Sequence, residues 1–279
     1  MPGRVRWSAV LLAMIFYSLA ANPRESRPPL TTVRPNLKPM ICAHRGVKMY
    51  APENTIPAIE KAIAMGYAYV ELDVRFSRDG IPVLMHDDWI TRMTLFPGPP
   101  SLYNAATLRK FRVIPWKGVE FADTRIPTLE DALRVMQGRI KLYLDQKEMP
   151  RPAELELLKK YGFYPDNMVV CGSGPQPSKF TEWDPGAPAM PGASRPEDLP
   201  GLMNKFPGMV AINTDCATLT AEMVDAAHAA GLMVFTNVIN LYANDEACMR
   251  RPIKLGSDVI QIDNPELFKK VIEEYRKGQ

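Results

Sequence analysis

Two carboxylates stand two positions apart in a run that is typical of a β-strand. Because strand residues alternate between faces, Glu71 and Asp73 point the same way in the predicted strand 67–75. A later run, 140–147, repeats the alternation of apolar and polar residues and adds a third carboxylate, Asp145, to its polar face. Burying such groups without partners is costly, so the pattern requires a cation, hydrogen bonds or water beside them.

Three carboxylates at the ends of two strands would form an all-oxygen site. Hard oxygen ligands favour Mg²⁺ or Ca²⁺ over zinc, so Glu71, Asp73 and Asp145 are candidate ligands of a divalent cation. The alternative is that Arg75 and Lys147 neutralise the acids as structural ion pairs, without a metal. The residue pattern by itself leaves both alternatives open.

Two of the three histidines directly follow apolar strand runs. His44 comes after Met40–Ala43, and His86 comes after residues 81–85. Catalytic groups of α/β barrels cluster at the carboxyl ends of the strands, so we expect these side chains to share one pocket near the acids. An imidazole exchanges protons near neutral pH, which makes both residues candidates for general acid and base.

The elements that would position these residues alternate between strand and helix. Eight β-rich runs are predicted, at 39–43, 67–75, 81–85, 140–147, 168–171, 210–214, 233–239 and 259–262. Helical patterns lie at 52–65, 128–136, 152–161, 220–230, 245–255 and 265–277. The alternation predicts parallel strands with crossover helices, and long loops with binding or lid functions at 89–123 and 172–207.

The N-terminal region has the pattern of a secretion signal. Arg4 and Arg6 precede an uncharged apolar run at 7–21, which is short for a membrane span of roughly 20 residues. We expect a signal peptide at 1–21, a proline-rich tether at 22–38 and one folded domain at 39–279. The folded part would then be periplasmic, secreted or in the secretory pathway, with no stable membrane span after cleavage. An uncleaved N-terminal anchor is the alternative.

Composition narrows the remaining function classes. The chain has 279 residues and a formal net charge of +3, which excludes a strongly basic nucleic-acid binder. Its four cysteines match neither a zinc site nor a C-x-x-C redox pair, and they allow one or two disulfides. Residues 39–279 number about 240, which fits one eight-stranded α/β barrel, for which about 250 residues are typical.

Short motifs around the candidate residues follow one another in a specific order. The N-terminal block reads His44-Arg45-Gly46, Pro52-Glu53-Asn54-Thr55, Glu71-Leu72-Asp73-Val74, Gly80 and His86-Asp87. Further matches lie at 126–130, 144–147, 234–237 and 260–265. In order and spacing, residues 39 to 275 resemble the glycerophosphodiester phosphodiesterase family.

The resemblance implies a fold, a reaction and a set of site residues. The fold is a single-domain TIM-type (β/α)8 barrel of the α/β class. The enzyme would be a phosphoric diester hydrolase that cleaves glycerophosphodiesters, which are deacylated phospholipids, to glycerol 3-phosphate and an alcohol with Mg²⁺ or Ca²⁺. In this assignment the metal ligands are Glu71, Asp73 and Asp145, the catalytic acid and base are His44 and His86, the phosphate contacts are Arg45 and Lys147, and Glu53 and Asn54 complete the substrate-binding set by ordering the first loop.

Some positions depart from the family pattern. Asp145 stands where many members carry glutamate, and Phe235-Thr236-Asn237 lacks the tryptophan that is common in that strand. Residues 172–207 do not align with the family's helical pattern. Substrate choice is expected to reside in such regions.

Two alternative functions follow from the sequence. Aromatic residues in the proline-rich regions suggest a phospholipase-D-like enzyme acting on lysophospholipids or sphingolipids; these are Trp89, Phe96, Trp116 and Trp183. A noncatalytic binding barrel is the other alternative, supported only by the substitution at Asp145. Under every alternative the expected partner is a small-molecule ligand, and the sequence does not indicate a protein partner.

Overall fold

The chain forms an α/β barrel, seen in a computed structural model that describes residues 38–114, 119–171 and 178–277. The strands are β1 (Met40–Ala43), β2 (Tyr69–Phe76), β3 (Pro82–Leu84), β4 (Lys141–Gln146), β5 (Met168–Cys171), β6 (Ala211–Asp215), β7 (Met233–Val238) and β8 (Val259–Ile262). They lie in the order β5-β4-β2-β1-β8-β7-β6, all parallel, and β3 pairs antiparallel with β2. The predicted barrel fold is thereby confirmed.

The gap between β5 and β6 is closed by residues 188–193. This segment makes isolated parallel bridges to both neighbours, from Val170 to Ala189 and from Gly192 to Asn213. Backbone hydrogen bonds accompany them, such as the 2.9 Å bond from the Met190 N–H to the Val170 carbonyl. The segment contains two prolines, which lack the N–H that a regular strand donates. It therefore completes the barrel wall without forming a continuous strand.

Two sequence-based expectations are corrected by this topology. Residues 81–85 are not a parallel strand of the barrel: β3 runs back along the end of β2, with Val74 opposite Leu84. The predicted loop 172–207 contains the segment that closes the barrel wall. The hairpin forms because β2 extends beyond the barrel and needs a partner there, and Gly80 provides the left-handed turn (φ 78°) that returns the chain.

Helices cover the outside of the barrel and its loops. They are α1 (Ile56–Ala64), α2 (Thr91–Thr94), α3 (Ala105–Leu108), α4 (Leu129–Met136), α5 (Pro152–Lys160), α6 (Ser178–Trp183), α7 (Leu199–Lys205), α8 (Ala221–Ala229), α9 (Glu246–Leu255) and α10 (Pro265–Lys277). Local sequence explains where several begin. Thr128 caps α4 through a capping box with Asp131, and Thr220 caps α8.

Strand alternation divides the buried residues between two layers. Inside the barrel, Tyr69, Tyr143 and Phe235 are among the packed side chains. Their neighbours Val70 and Leu142 belong to the cluster that packs against the surrounding helices. Glu71 and Asp73 share a face with Tyr69, as the alternation predicted, and the structure shows that this is the interior face.

Residues 89–114 and 119–123 contain more regular structure than the predicted loop. They contain α2, α3 and 3-10 helices at Pro100–Leu102 and Val119–Phe121. Ile90, Leu108 and Val113 form a small hydrophobic cluster that anchors this region. The Arg78 N–H donates to the Tyr103 carbonyl at 2.9 Å, so this region lies beside the turn of the β2–β3 hairpin.

One of the disulfides allowed by the cysteine count is present. Cys216 and Cys248 are bonded, and Cys42 and Cys171 are buried thiols. None of the helices in the described ranges is long and apolar enough to cross a membrane. The predicted signal peptide, residues 22–37 of the tether and Trp116 lie outside the described residues, so those predictions are untested.

Candidate active site

Neighbouring strands bring the three carboxylates together at the barrel mouth. Asp73 on β2 pairs directly with Asp145 on β4, and Glu71 lies two residues earlier on β2. One oxygen from each of the three lies within 4.8 Å of the others. Burial raises the pKa of Glu71 well above its usual range, and the charges of Asp73 and Asp145 add to that rise.

The side chain of Lys147 forms ion pairs with two of these acids. Its Nζ lies 2.9 Å from Asp73 Oδ1 and 2.6 Å from Asp145 Oδ2. Burial opposes ionisation of Asp73, but Lys147 and Arg45 outweigh it and lower the Asp73 pKa. The alternative in which ion pairs neutralise the acids is therefore realised in part, because Lys147 pairs with Asp73 and Asp145.

Arg75 takes no part in neutralising the three acids. Its guanidinium donates two hydrogen bonds to the His86 carbonyl, at 3.1 and 2.9 Å, and pairs with Asp88 at 2.6 Å. The alternative in which Arg75 neutralises the acids is therefore not realised, because Arg75 lies beyond the barrel mouth, in the part of β2 that pairs with β3. It secures the backbone of the histidine instead.

The three carboxylates fit a divalent cation. All three offer oxygen, the donor that Mg²⁺ and Ca²⁺ prefer. Lys147 and Arg45 supply two positive charges against three carboxylates, so the fully ionised cluster has an excess of negative charge. Burial is the main cause of the raised pKa of Glu71 and the charges of Asp73 and Asp145 add to it; a bound cation would relieve this excess of negative charge.

A strained loop after β1 aims Arg45 at the acids. Arg45 has a left-handed backbone (φ 56°), and its N–H donates to Glu71 Oε2 at 2.7 Å. Its side chain pairs with Glu53 at 3.1 Å and with Asp73 at 3.4 Å. Gly46 is required next to it, because a Cβ there would lie 2.6 Å from the Cβ of Ala58.

Asn54 and Glu53 act mainly on other site residues. The buried Asn54 side chain donates to Asp73 Oδ2 at 2.7 Å and accepts the Asp73 N–H at 3.1 Å. Glu53 accepts hydrogen bonds from Arg45 and Arg92. These contacts indicate positioning of the metal-ligand candidate and of the arginine.

His44 is buried and held by groups from β8 and the first loop. Its Nδ1 lies 2.7 Å from Asp263 Oδ1, and Lys48 Nζ lies 3.1 Å from the same nitrogen. Lys48 also pairs with Asp263 at 2.9 Å. Burial lowers the pKa of His44 despite the opposing effect of Asp263, and the charges of Lys48 and Arg45 add to the decrease.

His86 reaches the site through the β2–β3 hairpin. The Met85 N–H donates to the Asp73 carbonyl at 3.0 Å, which places His86 beside the acids. Its Nδ1 lies 2.8 Å from Asp87 Oδ1, and its side chain is 35% exposed. The two histidines therefore differ in environment, although each is bonded to an aspartate.

Sequence reasoning missed an arginine side chain that links the two sides of the site. Arg92 at α2 donates to Glu53, the partner of Arg45, and to Asp87, the partner of His86. No motif or periodicity in the sequence marks Arg92 as a site residue, because it lies in the interval 89–123 that is predicted as a loop. Lys48 and Asp263 were also missed as site residues, although Asp263 belongs to the motif at 260–265 and Lys48 follows His44 in the first loop.

The family model described as the glycerophosphoryl diester phosphodiesterase family matches residues 44–162, from His44 through β4 and α5. Over these residues the chain resembles the glycerophosphodiester phosphodiesterases. Among glycerophosphodiester phosphodiesterases, the chain resembles glycerophosphodiester phosphodiesterase 1 of Mus musculus, at 33% identity over 174 residues, which are 60% of this chain and 52% of that protein. The chain spans 49–63% of the length of four such curated relatives.

Solved structures of glycerophosphodiester phosphodiesterases share the barrel over more of the chain. The Agrobacterium tumefaciens enzyme superposes with a TM-score of 0.73 and 25% identity, covering 84% of this chain and all (100%) of that one. An Oleispira antarctica phosphodiesterase, solved with the product sn-glycerol-3-phosphate, gives 0.71 and 27% and covers 84% and 97%. The match therefore extends beyond residue 162 at the level of fold.

Proposed function

We propose that the protein hydrolyses glycerophosphodiesters to glycerol 3-phosphate and an alcohol, using a divalent cation. One observation carries the proposal: three carboxylates, Lys147 and Arg45 form a charged cluster at the barrel mouth, beside two histidines that are each bonded to an aspartate. The relative solved with sn-glycerol-3-phosphate supports the choice of substrate. Mg²⁺ or Ca²⁺ is the cation that suits the donors.

The cationic groups of the site have a shared role. A cation held by Glu71, Asp73 and Asp145 would supply Lewis acidity. Arg45 and Lys147 bind the phosphate oxygens and stabilise the negative charge that grows on them. Glu53 and Asn54 keep Arg45 and Asp73 oriented, so little reorganisation is needed during the reaction.

The histidines divide the proton transfers. Asp263 accepts the Nδ1–H of His44, which leaves Nε2 free to accept a proton, and the lowered pKa keeps this imidazole neutral. We assign His44 as the base for the attacking oxygen, which is water or a hydroxyl of the substrate. His86, oriented by Asp87, donates a proton to the departing alkoxide as the P–O bond breaks.

The same proposal includes export from the cytoplasm. Its support is the signal-peptide pattern at 1–21 and the disulfide between Cys216 and Cys248, because disulfides persist in oxidising compartments. Expression of the full chain in a secreting host tests it. Recovery of the domain outside the cytoplasm, shortened near residue 21, is the expected result, and a full-length cytoplasmic product contradicts it.

A diester panel tests the activity. Purified protein is incubated with glycerophosphocholine, glycerophosphoethanolamine and glycerophosphoinositol, with Mg²⁺, with Ca²⁺ and with a chelator, and glycerol 3-phosphate is measured. We expect turnover that the chelator abolishes and one cation restores. Turnover of none of the diesters with either cation would contradict the proposal.

A further inference from the structure

The wall of the barrel mouth opposite the acids carries two carboxamide side chains. Asn213 on β6 and Asn237 on β7 follow Ala211 and Phe235 by two residues, and both of those side chains pack inside the barrel. Because strand residues alternate between faces, the two amides also face the interior, near the carboxyl ends of their strands. β6 and β7 lie across the barrel from β2 and β4, which carry the acids.

Asn213 extends across the barrel interior to the neighbourhood of one of the acids. Its Nδ2 donates to the Tyr143 hydroxyl at 3.2 Å and to Cys171 Sγ at 3.6 Å. Tyr143 precedes Asp145 by two residues on the interior face of β4, and Cys171 is the register partner of Asp145 on β5. The amide therefore lies beside the acid cluster.

One oxygen of each amide is buried without a hydrogen-bond partner. No group within the described ranges donates to Asn213 Oδ1 or to Asn237 Oδ1. The Nδ2 of Asn213 is engaged by Tyr143 and Cys171, so its Oδ1 is the atom left to accept. A buried acceptor without a donor costs free energy, and such a group in a native protein calls for an explanation. A substrate that brings O–H donors to this wall would supply the bonds.

Hydroxyl groups are the donors that suit this wall. An amide oxygen is a neutral acceptor, whereas the choline ammonium has no N–H and a phosphodiester has only acceptor oxygens. Beneath the amides the barrel is filled by aromatic rings, with Phe235 5.2 Å from Tyr69 and 6.1 Å from Tyr143 between ring centroids. The amides therefore lie at the inner end of the site, where the part shared by all glycerophosphodiesters fits better than a headgroup of varying size.

We propose that Asn213 and Asn237 bind the two free hydroxyls of the glycerol moiety while Arg45 and Lys147 hold the phosphate. The inference rests on the proposed phosphodiesterase activity and assigns two specificity residues to it. An acyl chain on either hydroxyl removes one donor, so this wall favours deacylated diesters. Both asparagines lie outside residues 44–162, which the family model matches, and Asn237 belongs to the strand segment that departs from the family pattern.

The first test removes one hydroxyl of the substrate at a time and needs only the wild-type protein. Glycerophosphocholine is compared with the phosphocholine diesters of propane-1,2-diol and propane-1,3-diol, which lack the terminal and the secondary hydroxyl, and choline release is measured. We expect kcat/KM to fall about 10–100-fold for each analogue, because one amide oxygen then stays unpaired. A second arm keeps glycerol and exchanges choline for inositol, so that hydroxyls of the headgroup are tested separately.

The second test removes the amides at nearly constant side-chain size. Asn213→Leu and Asn237→Leu should each lower kcat/KM for glycerophosphocholine and leave it unchanged for the analogue that lacks the corresponding hydroxyl, so that discrimination against this analogue is lost. A purely structural role would lower both values equally. Asn167→Leu is the matched control and should keep the wild-type discrimination. Asn167 is exposed before β5, at the opposite end of the barrel, where it donates to the Gly162 carbonyl at 2.9 Å. The melting temperature of each variant reports on folding.

The outcomes separate this inference from the proposed function. Equal kcat/KM for glycerophosphocholine and both analogues overturns the glycerol assignment and leaves the phosphodiesterase standing. Discrimination that is the same in both leucine variants as in the wild type also overturns it. A preference between inositol and choline that the leucine variants abolish assigns the amides to the headgroup, which overturns the glycerol assignment as well. Absence of turnover of every diester rejects the phosphodiesterase and the inference with it.

Discussion

Two hydrogen bonds join the Asn54 side chain to Asp73: its Nδ2 donates to the carboxylate at 2.7 Å, and its Oδ1 accepts the Asp73 backbone N–H at 3.1 Å. The contact fixes one metal-ligand candidate from a loop that has a left-handed backbone at Asn54 (φ 54°). Asparagine tolerates this conformation better than most residues with a Cβ. Asn54 thus adopts the backbone conformation that the turn requires and also orients the carboxylate of Asp73.

Replacing Asn54 with glycine should separate these two roles. Asn54→Gly keeps the backbone conformation and removes the amide, so we expect the affinity for the activating cation to fall about 10–100-fold, with little loss of secondary structure. Asn54→Ala should show the same loss and a lower melting temperature, because alanine is strained at positive φ. Calorimetric titration with Mg²⁺ and Ca²⁺ measures the affinity. Wild-type affinity in Asn54→Gly would contradict the orienting role.

Lys147 is expected to act on the phosphate more than on the metal. In Lys147→Met the acids gain net negative charge, so cation binding should persist, while kcat/KM falls about 10²–10³-fold through loss of charge stabilisation in the transition state. The control is Lys160→Met, which removes an exposed pair with Glu130 at 2.8 Å. Steady-state kinetics and metal titration are run on both. Equal activity of the two variants would show that Lys147 only neutralises acids.

The roles of the histidines predict different responses to the leaving group. His44→Ala and His86→Ala should each lose about 10²–10⁴-fold in rate on glycerophosphocholine. A p-nitrophenyl diester, whose leaving group needs no protonation, should restore most of the rate to His86→Ala and little to His44→Ala. His228→Ala is the control, because His228 bonds to Asp258 at 2.8 Å on the helical side of the barrel. The opposite pattern of restoration would exchange the acid and the base.

Glu154 should make the fold less stable as the pH rises. This side chain is buried on α5, and burial raises its pKa to about 8, with Arg151 lowering it and Glu148 raising it. Between the unfolded pKa near 4.3 and the folded value, the native state binds more protons than the unfolded state, so stability decreases as pH rises through that window, by about 1.4 kcal/mol per pH unit at most.

Glu154→Gln should remove that dependence. The amide cannot ionise, so the variant should gain stability relative to the wild type as the pH goes from 5 to 8. Urea unfolding at each pH measures the difference. Parallel stability curves for the two proteins would exclude Glu154 as the source.

Local sequence determines much of the site. Period-two alternation placed Glu71, Asp73 and Asp145 on the polar faces of their strands, and the apolar run before His44 placed it at a strand end. These predictions succeeded because each depends on one strand and its immediate neighbours. Their assigned roles in metal binding and catalysis remain predictions for the experiments above.

Contacts between distant loops were not predictable in this way. Arg92 meets Glu53 across 39 residues, and His44 meets Asp263 across 219. No periodicity encodes such pairs. The role of residues 188–193 in the barrel wall was missed for another reason. The prolines of this segment are typical of a loop, and it joins the barrel through isolated bridges rather than a continuous ladder of backbone hydrogen bonds.

The pairing of β1 with β8 has a consequence for when the site exists. β1 lies between β2 and β8, and its four residues pair with Val259–Ile262. Because β8 is the last of these strands in the chain, it is the last to be synthesised. Such long-range pairing is slow to form. Asp263 follows directly after β8, so a nascent chain that stops before it carries all three acids but lacks the group that orients His44. Translation alone thereby delays the assembly of a competent site until the barrel can close.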